Sequence, residues 1–225
     1  MNKKLFFILF GPFLFAQAPA GYYNGTENLK GYQLKNTITH IITKGSISRD
    51  YADLVKKYYQ YTDLDHYYDH GKENQTYLLD IYTEIIDGPE VEYTIGSVIS
   101  GAGEEGKGIN REHMIPQSTF DGLYPMFSDL HTVIPADAHI NGRRSNYPYG
   151  IVGDNLITTF KNGGKLGKAT IEGYSYTGSV YEPINEFKGD VARTLLYYVV
   201  RYAQKLPFLR YDYYIASQGD VNPMD

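Results

Sequence analysis

NREHMIPQS at residues 110–118 is the first of three stretches that decide the local fold of this chain. The others are SDLH (128–131) and PADAHINGRRSN (135–146). Three of the six His and three Arg lie between residues 110 and 146. Core packing rarely needs so many ionisable and amide side chains in one region. The region therefore predicts a functional site.

These stretches predict a short strand, a loop and a short helix. We expect Ile109–Ile115 to form a strand that enters a loop at Pro116. Residues 135–146 predict a helix, because Pro135 suits its first turn and Asp137 favours its N-terminal end. Such a unit can bring side chains of the strand and of the helix together.

Glu112 and His113 are neighbours on the predicted strand, and adjacent strand residues face opposite sides. We expect the two to share one site only if the backbone bends there. On the predicted helix, Asn141 and Arg144 share a face, whereas Arg143 lies on a neighbouring one. The helix can thus bring Asn141 towards His113.

The remaining patterns predict a mainly helical α+β single domain with small antiparallel strands. Apolar residues recur at helical spacing in Leu34–Ile42, Tyr51–Tyr61 and Gly189–Lys205. Tyr77–Ile86 and Asn155–Phe160 are rich in β-branched and aromatic residues or Leu and predict strands.

The first 20 residues have the order of a secretory signal peptide. Lys3 and Lys4 precede the apolar run Leu5–Phe15, and small residues follow, including Ala18 and Ala20. The run is shorter than the roughly 20 apolar residues that a membrane span needs. We therefore expect removal of residues 1–20, a secreted or periplasmic protein formed by residues 21–225, and no membrane contact.

The charge and the absence of Cys exclude some function classes. Residues 1–20 contain two of the 21 basic residues and none of the 26 acidic ones, so the net charge changes from −5 to −7 on their removal. Bulk charge therefore cannot drive binding to nucleic acid, although a local basic groove can. The chain has no Cys, which excludes a thiol nucleophile and disulfides.

The residue types between 110 and 146 suit hydrolysis of a phosphodiester bond. A neutral His can take a proton from water near pH 7. Oxygens of Glu and Asn suit a hard divalent ion, and Arg can hold phosphate oxygens. The chain has neither the His-Glu-x-x-His pattern of zinc proteases nor a Gly-x-Ser-x-Gly elbow. A Ser–His–Asp hydrolase remains an alternative at this point.

The chain resembles the endonuclease I family, which comprises secreted or periplasmic nucleases with a ββα-metal (His-Me finger) active site. The resemblance rests on NREH (110–113), PQS (116–118), SDLH (128–131), NGRRSNYP (141–148), PAGYY (19–23) and KGDVAR (188–193). These stretches span most of the predicted mature chain, and their order and spacing are specific.

The resemblance implies a role for several residues. His113 matches the general base of the family, and Glu112 and Asn141 match the two protein ligands of the metal ion. We expect His131 and Asn146 to support the site without binding the metal. The implied ion is Mg²⁺, with Mn²⁺ and Ca²⁺ as alternatives.

The resemblance also implies a substrate. We expect sequence-nonspecific endonuclease activity on DNA, with RNA as an alternative, by a protein that acts as a monomer. Candidate phosphate-binding side chains are Arg111, Arg143 and Arg144.

The chain departs from the family pattern in three places. Thr119 stands where an aromatic residue commonly follows the Ser, and residues 119–127 contain no Arg. The family pattern also continues further than Asp225, so we expect a fragment that lacks a C-terminal segment. The alternative function is therefore a catalytically impaired module that binds nucleic acid or another polymer.

Overall fold

The centre of the fold is an antiparallel pair of strands followed directly by a helix. Strand β3 (Ile109–His113) pairs with β4 (Val133–Asp137), and helix α4 (Ala138–Arg144) begins at the next residue. The Asp137 side chain accepts a hydrogen bond from the Ile140 N–H at 2.8 Å and so caps the helix. The strand pair and the helix therefore form one continuous unit. The computed structural model describes residues 18–66, 77–97, 103–170 and 176–205.

Helices and two further sheets surround this unit. The N-terminal half contains α1 (Gly31–Thr43), α2 (Tyr51–Asp53), a π-helical turn (Leu54–Tyr58), α3 (Tyr59–Thr62), and the antiparallel pair β1 (Tyr77–Leu78) and β2 (Tyr93–Thr94). The C-terminal half contains an antiparallel sheet of β5 (Val152–Thr159), β6 (Lys165–Ala169) and β7 (Ser179–Glu182), and the long helix α5 (Asn185–Arg201).

Two groups of buried apolar side chains pack against the central unit. One lies beside β3 and β4 and joins them to the α2–α3 segment and to β1 and β2; its members are Leu54, Tyr59, Leu78, Tyr93, Ile109 and Val133. The other includes Ile140 of α4, Tyr181 of β7 and Val191 of α5. Because both groups contact the central unit, its position is fixed from two sides.

Most predicted helices are confirmed, but the helical share is lower than expected. The predicted helix Leu34–Ile42 lies within α1, and Tyr51–Tyr61 is helical with a π-helical turn at its centre. Of the described residues, 34% are helical and 20% are in strands, so the domain is α+β but not mainly helical. No helix in the described ranges is long and apolar enough to span a membrane. The predicted signal peptide falls mostly on residues 1–17, which are not described.

The predicted strand Tyr77–Ile86 is wrong beyond its first two residues. Only Tyr77–Leu78 is a strand. The Asp80 side chain accepts hydrogen bonds from the Tyr82 N–H at 3.0 Å and from the Thr83 hydroxyl at 2.6 Å, which favours a turn. The aromatic and branched residues of this stretch are buried in the turn, and burial alone had produced the strand-like pattern.

Pro135 is also placed differently from the prediction. It lies in β4 opposite Arg111 of β3, and not in the first turn of the helix. Pro is tolerated here because the sheet has only two strands, so each strand is an edge strand. The helix therefore begins at Ala138, three residues after Pro135.

Asp80 connects the turn to the central unit, which generates a stability prediction. Its carboxylate also accepts a hydrogen bond from the Asp137 N–H at 3.0 Å. Asp80→Ala leaves two buried backbone N–H groups without this acceptor, so we expect the free energy of unfolding to fall by about 2–5 kcal/mol. Urea denaturation measures this change. Asp154→Ala, at an exposed position, is the control and should have little effect; equal effects of the two variants would contradict the prediction.

Candidate active site

Glu112 of β3 is buried and is held through one of its two carboxylate oxygens. It is 2% exposed. Its Oε1 accepts hydrogen bonds from the Tyr82 hydroxyl at 2.6 Å, the Arg144 Nη1 at 2.9 Å and the Tyr149 hydroxyl at 3.2 Å. Among the described residues, all three of these hydrogen bonds end on Oε1 and none ends on Oε2. The arrangement fixes the carboxylate and leaves Oε2 for another partner.

Two opposing effects act on the ionisation of Glu112. Burial raises the pKa of its carboxyl above the ordinary value, because the charged form loses its hydration. The guanidinium of Arg144 and the hydroxyls of Tyr82 and Tyr149 lower the pKa and favour the carboxylate. Of these three groups only Arg144 carries a full positive charge, and it lies 2.9 Å from Glu112 Oε1. Because this ion pair stabilises the carboxylate, we assign Glu112 as ionised at neutral pH.

Arg144, at the end of α4, ties the helix to the last residues of β3. Besides its ion pair with Glu112, it donates to the carbonyl oxygens of His113 at 3.0 Å and Met114 at 2.8 Å. Its guanidinium also lies over the ring of Tyr149, 4.7 Å from the ring centre. The side chain is 1% exposed, so its position does not fit the predicted contact with a phosphate.

Asn141 lies on α4 three residues before Arg144, and it too contacts β3. Its Nδ2 donates to the side-chain oxygen of Asn110 at 2.7 Å and, more weakly, to the carbonyl of Arg111 at 3.4 Å. With the amide nitrogen turned towards β3, the side-chain oxygen of Asn141 is left to accept other bonds. Helix α4 thus brings an amide oxygen close to the strand that carries Glu112.

His113 is the last residue of β3 and is held on both ring nitrogens. Its Nε2 lies 3.0 Å from the carbonyl oxygen of Phe127, and its Nδ1 lies 2.9 Å from the side-chain nitrogen of Gln117. A carbonyl only accepts, so Nε2 carries the proton and Nδ1 accepts from Gln117. The ring also stacks on Phe127 and Tyr51, with centres 5.3 and 5.5 Å apart.

The environment of His113 keeps its ring neutral. The pKa of His113 is lowered to about 4, mainly by burial and also by the charges of Arg111 and Arg144, although the hydrogen bond to Phe127 raises it. The ring is 6% exposed. A neutral ring with an unprotonated Nδ1 beside an exposed residue, Gln117, can accept a proton from a small molecule such as water.

The two sides of β3 have different partners. The side chains of Asn110 and Glu112 contact residues of α4, whereas the side chain of Arg111 contacts Tyr51, on which the His113 ring also stacks. The guanidinium of Arg111 lies 3.9 Å from the centre of the Tyr51 ring and donates to the Tyr51 carbonyl at 3.1 Å. The structure therefore brings Glu112 and Asn141 together on one side and places His113 at the end of the other.

This geometry agrees with the sequence comparisons. The sequence model of the endonuclease I family matches residues 30–221. The chain belongs to the endonuclease I family. It is also similar to proteins named extracellular ribonuclease: 30% identical over 183 residues to that of Bacillus subtilis (strain 168), and 38% identical over 96 residues to that of Bacillus amyloliquefaciens.

The coverage of these relatives is partial. The match to the B. subtilis protein includes 80% of this chain but 53% of the relative, and the match to the B. amyloliquefaciens protein includes 41% and 29%. The chain thus spans about half the length of the first of these curated relatives. Membership of the endonuclease I family is established by the family match, and the resemblance noted in the sequence is confirmed.

Three other residues that the sequence predicts for the site of this endonuclease I family member lie apart from Glu112, Asn141 and His113. Arg143 and Asn146 are exposed at and beyond the end of α4. His131 is exposed too, and its ring lies 4.7 Å from that of Tyr197, at a cavity of about 420 Å³ that Arg49 also lines. The roles of these residues stay predictions.

Sequence reasoning missed the residues that hold the site together. Tyr82 and Tyr149 bind Glu112 from segments 30 and 37 residues away, and no local pattern connects such distant positions. Tyr51 and Phe127 stack on His113 and were likewise not singled out. Gln117 contacts His113 and lies within the PQS motif (116–118), so this motif was the one sequence signal for any of these residues.

The burial of Arg144 generates a second prediction. Arg144→Met leaves the Glu112 carboxylate buried without its counter-ion, so we expect the free energy of unfolding to fall by about 3–5 kcal/mol. Urea denaturation provides the measurement. The neighbouring Arg143→Met is a matched control on an exposed side chain and should cause little change.

A second variant tests the cause of this loss. Adding Glu112→Gln to Arg144→Met removes the unpaired charge and should recover part of the stability. If Arg143→Met were as destabilising as Arg144→Met, or if Glu112→Gln gave no recovery, the buried ion pair would not be the reason.

Proposed function

We propose that this chain is a secreted endonuclease that hydrolyses phosphodiester bonds in DNA, and in RNA as an alternative substrate, with a divalent metal ion. The observation that carries the proposal is the way its side chains are held. Glu112 is bound through Oε1 and Asn141 through Nδ2, so each keeps one oxygen for a cation. A neutral His113 lies one residue further along β3. Family membership and the names of the relatives support the same activity.

In this proposal the residues 109–144 form a ββα-metal site. The donors fit a hard ion, since a carboxylate and an amide oxygen are the ligand types that Mg²⁺ accepts. Glu112 and Asn141 would hold the ion, and Mn²⁺ and Ca²⁺ are alternatives. When bound, such an ion stabilises negative charge on the phosphate and on the leaving oxygen. Arg144 acts as a positioning residue that keeps the Glu112 carboxylate in place.

His113 serves as the general base in this mechanism. The nucleophilic water takes the place of the Gln117 amide beside Nδ1, and Nδ1 accepts its proton. The bond from Nε2–H to the Phe127 carbonyl orients the ring and stabilises the imidazolium that results. With a pKa of about 4, the ring is unprotonated at neutral pH before water arrives.

Substrate binding rests on local positive charge. After removal of residues 1–20 the net charge of −7 repels nucleic acid at long range. We propose that Arg111, held over Tyr51 next to His113, and the exposed Arg143 contact phosphates. Contacts to the backbone carry no sequence information, which agrees with sequence-nonspecific cleavage.

Two observations of different kinds support secretion. Residues 1–20 have the pattern of a signal peptide, and both relatives are named extracellular proteins. We propose that residues 21–225 form the exported nuclease domain.

The role of His113 generates a third prediction. We expect His113→Ala to lower the rate of plasmid cleavage in Mg²⁺ by about 10²–10⁴-fold, because loss of a general base typically costs this much. Circular dichroism should show that the variant is folded, and nucleic-acid binding should persist. His40→Ala, at an exposed position on α1, is the control and should cleave like wild type.

Two results would overturn this assignment. His113→Ala that cleaves as fast as His40→Ala would mean that another group takes the proton. A wild-type chain that binds nucleic acid but leaves it intact in Mg²⁺ would favour the alternative of a binding module without catalysis.

The role of Asn141 generates a fourth prediction. Asn141→Ala removes one of two proposed protein ligands, so we expect the Mg²⁺ concentration for half-maximal cleavage to rise at least about tenfold. High Mg²⁺ should restore part of the rate. Titration of Mg²⁺ into the cleavage assay measures both effects, with the exposed Asn155→Ala as control. Unchanged half-saturation in Asn141→Ala would place the ion on other residues.

A further inference from the structure

A cluster of three carboxylates lies outside the candidate active site. Asp65 follows helix α3, Glu84 closes the turn after β1, and Glu90 precedes β2. One carboxylate oxygen from each residue lies within 4.8 Å of the other two. Three separate segments of the chain thus place their carboxyl groups at one point.

Glu84 brings a buried carboxyl oxygen without a donor to this cluster. The residue is 3% exposed, and its Oε1 is buried without a hydrogen-bond donor among the described residues. Leaving a buried carboxylate oxygen without a donor is unfavourable, because nothing replaces its lost hydration. Burial and the neighbouring carboxylates of Glu90 and Asp65 raise the pKa of Glu84 to about 10.

A small cavity lies between the three carboxylates. It has a volume of about 10 Å³, and its lining includes Asp65, Glu84, Glu90 and Thr83. This is about the space that one water molecule, or one ion of similar size, occupies. Glu84, whose Oε1 has no donor, therefore lines a site of the right size for a single cation.

We propose that Asp65, Glu84 and Glu90 bind a Ca²⁺ ion. Calcium prefers carboxylate oxygens at about 2.3–2.6 Å, so two ligands of one ion can be up to roughly 5 Å apart. The three carboxylate oxygens lie within 4.8 Å of one another, which is short enough for all of them to bind one ion. The site is separate from Glu112 and Asn141 and does not depend on the proposed nuclease activity.

The ion would fix the turn that supports the candidate active site. Glu84 follows Tyr82 by two residues, and the Tyr82 hydroxyl donates to Glu112 at 2.6 Å. In the same turn, Asp80 accepts from the Asp137 N–H at the start of α4. A cation that joins Glu84 to Asp65 and Glu90 would hold the end of the turn at Glu84, while the hydrogen bond from Asp137 holds the end at Asp80.

Thermal unfolding of the full chain, freed of metal by a chelator and then titrated with Ca²⁺, tests the proposal. At a Ca²⁺ concentration about 100 times the Kd, we expect Tm to rise by about 5–10 °C. Asn141→Ala should keep this rise, because it alters only the proposed catalytic metal site. Absence of any rise in wild type would overturn the proposal.

Substitutions within the cluster give a signature specific to a cation site. Glu84→Gln relieves the crowding of three carboxyl groups and adds a donor, so without Ca²⁺ its Tm should equal or exceed that of wild type. The Ca²⁺-dependent rise should disappear in Glu84→Gln. Glu90→Gln, at a half-buried position, should also abolish it and provides the test if Glu84→Gln does not fold.

An exposed carboxylate provides the control. Glu186→Gln, at the surface of α5, should show the full Ca²⁺-dependent rise. A rise that persists in both Glu84→Gln and Glu90→Gln would place the calcium elsewhere and overturn the assignment.

Discussion

The ion pair between Arg144 and Glu112 is the contact on which the arrangement of the central unit depends. Both side chains are almost fully buried, and their charged atoms lie 2.9 Å apart. Neither charge is tolerable in the interior without the other, because each has lost its hydration. The pair therefore fixes where α4 lies relative to β3, and Arg144 strengthens this through the carbonyls of His113 and Met114. Asn141, on the same helix, is placed by the same contact.

Using one oxygen of Glu112 for structure leaves the other for the proposed metal ion. A buried carboxylate held only by Arg144 could rotate, but the hydroxyls of Tyr82 and Tyr149 bind the same oxygen and define its direction. Tyr82 comes from the turn after β1, and Tyr149 lies just before β5. The fold thus brings three separate segments to one carboxylate oxygen. Such a network stabilises a unique arrangement only when every member has a partner, so each of these residues is sensitive to substitution.

Local patterns in the sequence predicted the parts of the structure that depend on local interactions. The stripes of α1 and α5 and the strand β3 follow from spacing alone, and the NREH motif located Glu112 and His113. The strand at Pro135 and the burial of Arg144 were not predictable, because each is set by contacts across 24 or more residues. The turn at Asp80 rests on local hydrogen bonds, but the buried Ile81 and Tyr82 gave this stretch the composition of a strand. A pair of Arg at a helix end is typical of a solvated surface, and only the fold shows that Arg144 faces inwards.

The adjacency of Glu112 and His113 gives the site two independent supports. Side chains of neighbouring strand residues diverge, so Glu112 enters the network of Arg144 while His113 stacks on Tyr51 and Phe127. In the proposed mechanism the two side chains act on one substrate where the strand ends, and β3 does end at His113. The alternation of the strand, which appeared to oppose a shared site, instead isolates the neutral ring from the carboxylate. A carboxylate hydrogen-bonded to His113 would raise its pKa and protonate the ring, whereas the Phe127 carbonyl orients the ring and leaves it neutral.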